Sequence, residues 1–425
     1  MTSKNRQAPA HDEAYVWVWL PGATAPVVAG RVYRDGASLS FNYGRSYLER
    51  DDAIPLYLPE LPLKAGAIPP DPDLSMAGCL RDGAPDAWGR RVILNRTFGM
   101  KGKEADIGAL DELTYLLESG SDRIGALDFQ KSPAEYVPRA AQAATLEELL
   151  SAAEKVEKGV PLTPELDQAL FHGSSLGGAR PKAMIEDGDK KLIAKFSSST
   201  DTYNVVKAEF IAMRLAEKAG LSVAPVRLEH VAGKDVLLVD RFDRIKGRDD
   251  WQRKAMVSAL TIFGLDEMMA RYASYADLTE TIRHRFTAPR DTLREVFRRV
   301  VFNILCGNTD DHARNHAAFW DGKQLTLTPA YDICPQSRTG NEASQAMLIT
   351  EDSRRSTLAT CMDAAANFQL GERAAAKIIN NTLEAVRAEW QNTCEEAKLS
   401  EVDRNLFWER IFLNPSIFEG DYDFR

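Results

Sequence analysis

Asp310-Asp311-His312-Ala313-Arg314-Asn315 is followed, seventeen residues after Asn315, by Asp332. An Asp, an Asn five positions on and a second Asp beyond a short strand and turn is the layout that phosphoryl transfer from ATP requires. The first Asp accepts the proton of an attacking hydroxyl. The Asn and the second Asp together hold Mg²⁺ against the ATP phosphates. The count to Asn315 is five from Asp310 and four from Asp311, so the spacing nominates Asp310 as the base. Alone, the pattern reads equally as a charge-rich loop, and its weight depends on what lies upstream.

Residues 172–182 read His-Gly-Ser-Ser-Leu-Gly-Gly-Ala-Arg-Pro-Lys. Gly173, Gly177 and Gly178 permit positive φ and close approach of backbone N–H groups to a phosphate. The run is neither G-x-G-x-x-G nor G-x4-G-K-[ST], and a Gly-rich stretch by itself is more often a turn. Asp187-Gly188 predicts a hairpin turn into Lys190–Phe196, where Leu192, Ala194 and Phe196 share one strand face and Ile193 and Lys195 the other. A lysine among apolar neighbours needs a partner. The α/β-phosphates and a helix Glu supply one in a kinase; solvent supplies one on an edge strand. Residues 204–219 predict an amphipathic helix stopped by Gly220, with Glu209 beside its apolar stripe. The strand Val236–Val239 then ends in Asp240-Arg241-Phe242-Asp243-Arg244. Asp240 sits there either as a contact to adenine or ribose or as an ordinary polar strand end. Leu293, Phe297, Val300, Val301 and Ile304 predict a helix, with Asp291 as N-cap and Gly307 at its exit, that delivers the chain to Asp310. Each part is weak, and their joint order is strong.

Several stretches resemble the HipA-type toxin kinases. They are Ser-x-Gly-Gly-Ala-Arg-Pro-Lys at 175–182, Val-Asp-Arg-Phe-Asp-Arg at 239–244, Gly-Asn-Thr-Asp-Asp-His-Ala-Arg-Asn-His at 307–316, and Pro-Ala-Tyr-Asp-Ile at 329–333. The Asp82–Asp86 and Leu117–Gly120 stretches are similar to the family's small β-rich N-terminal subdomain. The resemblance implies an α+β, two-lobed protein-kinase-like fold with three parts: an N-terminal β-rich subdomain (1–135), a small lobe (136–245) and a mainly helical catalytic lobe (246–425). It implies a serine/threonine-protein kinase using ATP and Mg²⁺ that phosphorylates a component of the translation machinery. It also implies autophosphorylation of a Gly-loop serine, Ser175 by the motif with Ser174 beside it, which withdraws the loop and inactivates the enzyme. By the same matching, Lys195, Glu209, Asp240 and Gly177 to Arg180 serve the nucleotide, Asp310 is catalytic, and Asn315 and Asp332 hold Mg²⁺. The implied partner is a small helix-turn-helix antitoxin of the HipB type, through which operator DNA is reached. The loop switch is physically reasonable, because a phosphoserine carries nearly two negative charges and repels ATP phosphates held in the same nest.

Composition bounds these readings. A chain of 425 residues holds two or three domains with real cores. The first dozen residues are polar, so no secretory signal is expected, and no apolar run approaches a membrane span. Five cysteines without metal spacing read as reduced thiols of a cytoplasmic protein. A net charge of −9 argues against a general nucleic-acid binder. The arginines from Arg283 to Arg299 read as a solvated helix face. His312 and His316 lie four apart, but no Glu follows His312, so a zinc-hydrolase motif lacks its base. Two other classes remain: a small-molecule kinase built from similar parts, and a partner-binding pseudokinase acting as a co-repressor. Intact Lys195, Asp310, Asn315 and Asp332 argue against the latter.

Overall fold

The computed structural model describes residues 11–98, 108, 110–139, 144–160, 162–163, 166, 170, 178–248, 250–338, 340, 342–422 and 424. The fold is α+β, and its contacts divide the chain into two compact units. The first comprises Met1–Thr200, His230–Val257 and Trp320–Lys323; the second comprises Asp201–Glu229, Ser258–Phe319 and Gln324–Arg425.

The first unit opens with a β-meander. Strands β1 (Glu13–Val18), β2 (Val27–Asp35) and β3 (Ser38–Tyr43) are antiparallel, and β4 (Leu127–Gln130) closes the other edge of β1, giving the order β3-β2-β1-β4. A second four-stranded sheet has the order β5-β6-β8-β7, with β5 Lys182–Asp187, β6 Lys190–Phe196, β7 Val226–Val231 and β8 Lys234–Asp240. The β5–β6 hairpin turns at Gly188, φ +64°, as Asp187-Gly188 predicts.

The helix Leu146–Glu157 starts at a capping box. The Thr145 hydroxyl accepts from Glu148 N–H, and the Glu148 carboxylate accepts from Thr145 N–H at 2.8 Å. Its buried face meets Leu192, Ala194, Phe196, Val236 and Leu238 of the second sheet. Trp88 and Val92, from the helix Ala87–Phe98, enter the same core. Trp88 is fully buried, and its indole N–H donates to Lys182 O at 2.9 Å. The N-terminal region thus supplies part of the small sheet's core.

The second unit is mainly helical. The helix Val205–Lys218 is capped by Asn204 and followed by Gly220 at φ +80°. The helix Pro289–Cys306 begins two residues before the expected Asp291 cap, because Pro289 takes the first helical position, where its missing N–H costs nothing. Asp291 then lies in the first turn, where a negative charge complements the helix dipole. Among the described residues no helix is long and apolar enough to cross a membrane.

Candidate active site

The second unit holds the Asp310 loop. The helix Pro289–Cys306 buries Leu293, Phe297, Val300, Val301 and Ile304 and ends at Gly307 in the left-handed conformation, φ +72°. A Cβ there would also lie 2.6 Å from Ile411 O, so glycine is required by conformation and by space. The chain then folds into consecutive tight turns. His312 N–H donates to Asp310 O at 2.9 Å, Asn315 N–H to His312 O at 2.8 Å, and Asn315 Nδ2 to Asp310 O at 3.1 Å. Asn315 is thereby clamped to the backbone of Asp310.

The two adjacent aspartates are treated differently. Asp311 is 3 % exposed, accepts a hydrogen bond from the Tyr275 hydroxyl and lies 2.9 Å from His316 Nε2. Burial alone would raise its carboxyl, but His316 and the Tyr275 hydroxyl outweigh burial and hold it below the ordinary carboxylate range. Burial drives the Tyr275 phenol upward, and the Asp311 charge adds to this. His316 is occupied in this network, and the segment Ala313–Asn315 is a single 3-10 turn rather than an α-helix. Among the described residues no group of three His, Cys, Asp or Glu side chains is arranged to hold a metal.

Asp310 keeps an exposed side chain. The protein around it still removes enough water to push its carboxyl up, and the charges of Asp332 and Asp311 push the same way against His312. Asp332 adopts φ +58°, a strained conformation for a non-glycine residue. Its segment is fixed on both sides. The Tyr331 hydroxyl donates to Arg314 O at 2.7 Å, and Ala330 bridges Val223. The structure therefore brings Asp310, Asn315 and Asp332 together. Their carboxylate and amide oxygens are hard donors of the kind Mg²⁺ takes.

The remaining site residues are placed as follows. Lys195 sits mid-β6, opposite Lys182 on β5 and Leu237 on β8, half-buried on the face of Ile193. Glu209 belongs to the second unit, in the helix Val205–Lys218, and is 3 % exposed. Asp240 ends β8 with its carboxylate 2.6 Å from Lys190 Nζ. Gly178 takes φ +86°, and its N–H donates to Asp86 Oδ2 at 2.7 Å. Ala179 O accepts from the Arg91 guanidinium. Arg180 is exposed. Ser174, Ser175 and Gly177 lie outside the described residues.

Two residues beside the Gly stretch escaped the sequence reading. Asp86 and the buried Lys182 flank Gly178, and Lys182 Nζ occupies the space a side chain at 178 would need. The available signal was a lysine at a strand start between Pro181 and Ala183.

The rest of the Val-Asp-Arg-Phe-Asp-Arg motif is turned inward. Arg241 and Arg244 both pair with Asp122 (3.0 and 2.8 Å) and with Asp243 (2.8 Å each). Lys191 also reaches Asp122 at 2.8 Å, and Gly125 N–H donates to Asp243 at 2.8 Å. This clasp ties the end of β8 to the 122–125 loop.

Comparison with known proteins agrees with this architecture. Residues 18–130 match the family model described as HipA N-terminal domain, and residues 174–390 match the HipA-like C-terminal domain. The protein named "Putative kinase Y4mE" of Sinorhizobium fredii is 25 % identical over 348 residues, covering 74 % of this chain and 76 % of that one. The serine/threonine-protein kinase toxin HipA of Shewanella oneidensis is 25 % identical over 183 residues, 37 % of this chain and 42 % of its own length. The solved complex of Shewanella oneidensis HipA, HipB and operator DNA contains a chain of the same fold. It aligns with a TM-score of 0.65 at 17 % identity, over 95 % of this chain and 99 % of that one. The chain belongs to the HipA-like kinase family.

Proposed function

We propose that this chain is an ATP- and Mg²⁺-dependent serine/threonine-protein kinase. The observation that carries the reading is the division of labour at 310–311. Asp311 is committed to a buried network, whereas Asp310 is exposed, has a raised pKa and stands near Asp332. A raised carboxyl is a better proton acceptor for a hydroxyl. In the proposed step the acceptor O–H gives its proton to Asp310, its oxygen bonds to the γ-phosphorus, and the bond to the β,γ-bridging oxygen breaks, releasing ADP. Asn315 and Asp332 would hold Mg²⁺, which when bound neutralises charge on the phosphates. Lys195 and the backbone of Gly177, Gly178, Ala179 and Arg180 would bind and orient the nucleotide phosphates, and Glu209 would serve as the helix carboxylate that the kinase layout gives to that lysine. Asp240 would face the ribose or adenine, in exchange for its Lys190 pair.

The family resemblance extends the proposal. The acceptor protein belongs to the translation machinery, and Ser175, or Ser174 beside it, is autophosphorylated to switch the enzyme off. A HipB-like helix-turn-helix antitoxin is the partner that carries the chain to operator DNA. The chain acts in the cytoplasm.

The test is intact mass after incubation with Mg·ATP, wild type beside Asp310→Asn. One added phosphate in the wild type only, mapped to 172–182, is expected. No gain in either protein would overturn the self-phosphorylation. Calorimetry on Asp332→Ala is expected to lose Mg·ATP binding, and unchanged nucleotide affinity would remove the metal role.

A further inference from the structure

The segment after Asp332 turns back along the catalytic loop. Tyr203 donates to Pro335 O at 2.6 Å, and Gln336 N–H to Gly307 O at 3.0 Å. Two residues on, Arg338 enters an open cleft of about 410 Å³ lined also by Gly340, Glu409, Arg410, Asn414, Ser416 and Glu419.

Arg338 is unusual in this protein. Its guanidinium is half-buried, and the partners it has are neutral: Ser416 Oγ at 2.9 Å and Ser356 Oγ at 3.4 Å. Its Nε is buried without a hydrogen-bond partner among the described residues. Loss of water depresses its pKa. A guanidinium taken from water and given no counter-charge is costly, and among the described residues the buried arginines Arg123, Arg241, Arg244 and Arg299 each have a carboxylate or carbonyl. Arg410 is exposed and makes no ion pair among the described residues. Of the two acids that line the cleft, Glu419 is spent on Arg355 at 2.8 Å, which leaves Glu409. Two uncommitted guanidinium groups therefore face one uncommitted carboxylate.

We propose that the cleft between Arg338 and Arg410 recognises a phosphomonoester dianion, presented as a phosphoserine or phosphothreonine side chain. A phosphomonoester presents three acceptor oxygens, enough for two guanidinium forks and the Ser416 hydroxyl at once, whereas a carboxylate presents two. Occupation would fasten the segment carrying Arg338 to the 409–419 stretch. That segment is already tied through Gln336 to Gly307, so the bound phosphate would bear on the position of the catalytic loop. Inorganic phosphate shares the chemistry, and the test separates the two sources.

The full-length protein is titrated with a short phosphoserine peptide, its unphosphorylated form, inorganic phosphate and a duplex DNA. Wild type is compared with Arg338→Gln, Arg410→Gln and Asp332→Ala. The phosphopeptide is expected to bind wild type and Asp332→Ala alike, and to bind either arginine variant at least about tenfold more weakly. Arg410 lies at the surface, so its variant keeps the test valid if Arg338→Gln fails to fold. Equal phosphopeptide affinity in wild type and Arg410→Gln overturns the site, as does equal affinity for the unphosphorylated peptide. Arginine-dependent binding of free phosphate or of DNA, without the phosphopeptide, overturns the phosphorylated side chain as the ligand. Asp332→Ala keeps the cleft intact, so failure of the kinase reading would leave this result standing.

Discussion

The clasp of the first unit and the loop of the second both gather aspartates, and they treat them in opposite ways. At the clasp, Asp122 and Asp243 face Arg241, Arg244 and Lys191, and both carboxyls are held below their ordinary range despite burial. At the loop, Asp310 faces Asp332 and Asp311, and its carboxyl is pushed up. At the clasp each carboxylate faces at least two cations, whereas at the loop the loss of water and the charges of Asp332 and Asp311 raise the carboxyl of Asp310 against His312. Under the proposed function, the difference separates charges that hold the fold from charges that would meet the nucleotide.

The sharpest way to break this comparison is Asp310→Asn. Transfer is expected to fall about 10²–10⁴-fold, with the thermal midpoint unchanged or raised, because a strained charge has been removed. Both are read from a phosphate-transfer assay and a melting curve on the same sample. A large loss of stability would make the loop carboxylate architectural after all.

Asp243→Asn is the converse. It strands Arg241 and Arg244 without full compensation, and about 3–5 kcal/mol of stability is expected to go. The folded pKa of Asp122 and Asp243 lies below the unfolded value, so their stabilisation is present above about pH 4 and is lost as pH falls through the folded value. In urea melts the gap between wild type and variant is therefore expected to narrow in acid. A constant gap would assign the effect to packing.

Gly307→Ala forces a side chain onto Ile411 O in a left-handed conformation, at a cost of about 1–3 kcal/mol. Because the same turn positions Asp310, transfer should fall with stability; a stable variant at full activity would uncouple the turn from the loop. The smallest effect is expected from Tyr275→Phe, about 0.5–1.5 kcal/mol by denaturation, since Asp311 keeps His316.

Local rules made much of this readable. The Asp187-Gly188 hairpin, the alternation along β6 and the exit at Gly307 each depend on a few consecutive residues, and each stands where the pattern put it. The spacing from Asp310 to Asn315 and Asp332 singled out three residues that share one neighbourhood. What the sequence hid is long-range. Asp122 lies more than a hundred residues from Arg241, and no periodicity links them. The Val-Asp-Arg-Phe-Asp-Arg run left Asp240 open between a nucleotide contact and a polar strand end, because its charges were visible and their partners were not. Asp311 was indistinguishable from Asp310 except by counting, since Tyr275 and His316 reach it only in three dimensions.

Trp88 carries a last consequence. Its indole is buried among Leu192, Ala194 and Phe196, side chains belonging to the other of the two segments recognised as HipA domains. A gene split in the stretch between them would not free a smaller working enzyme. It would open a wall of the sheet that carries Lys195 and uncover apolar surface that invites aggregation. The two segments read as separate modules in sequence, yet Trp88 and Val92 of the one complete the core beneath the sheet of the other.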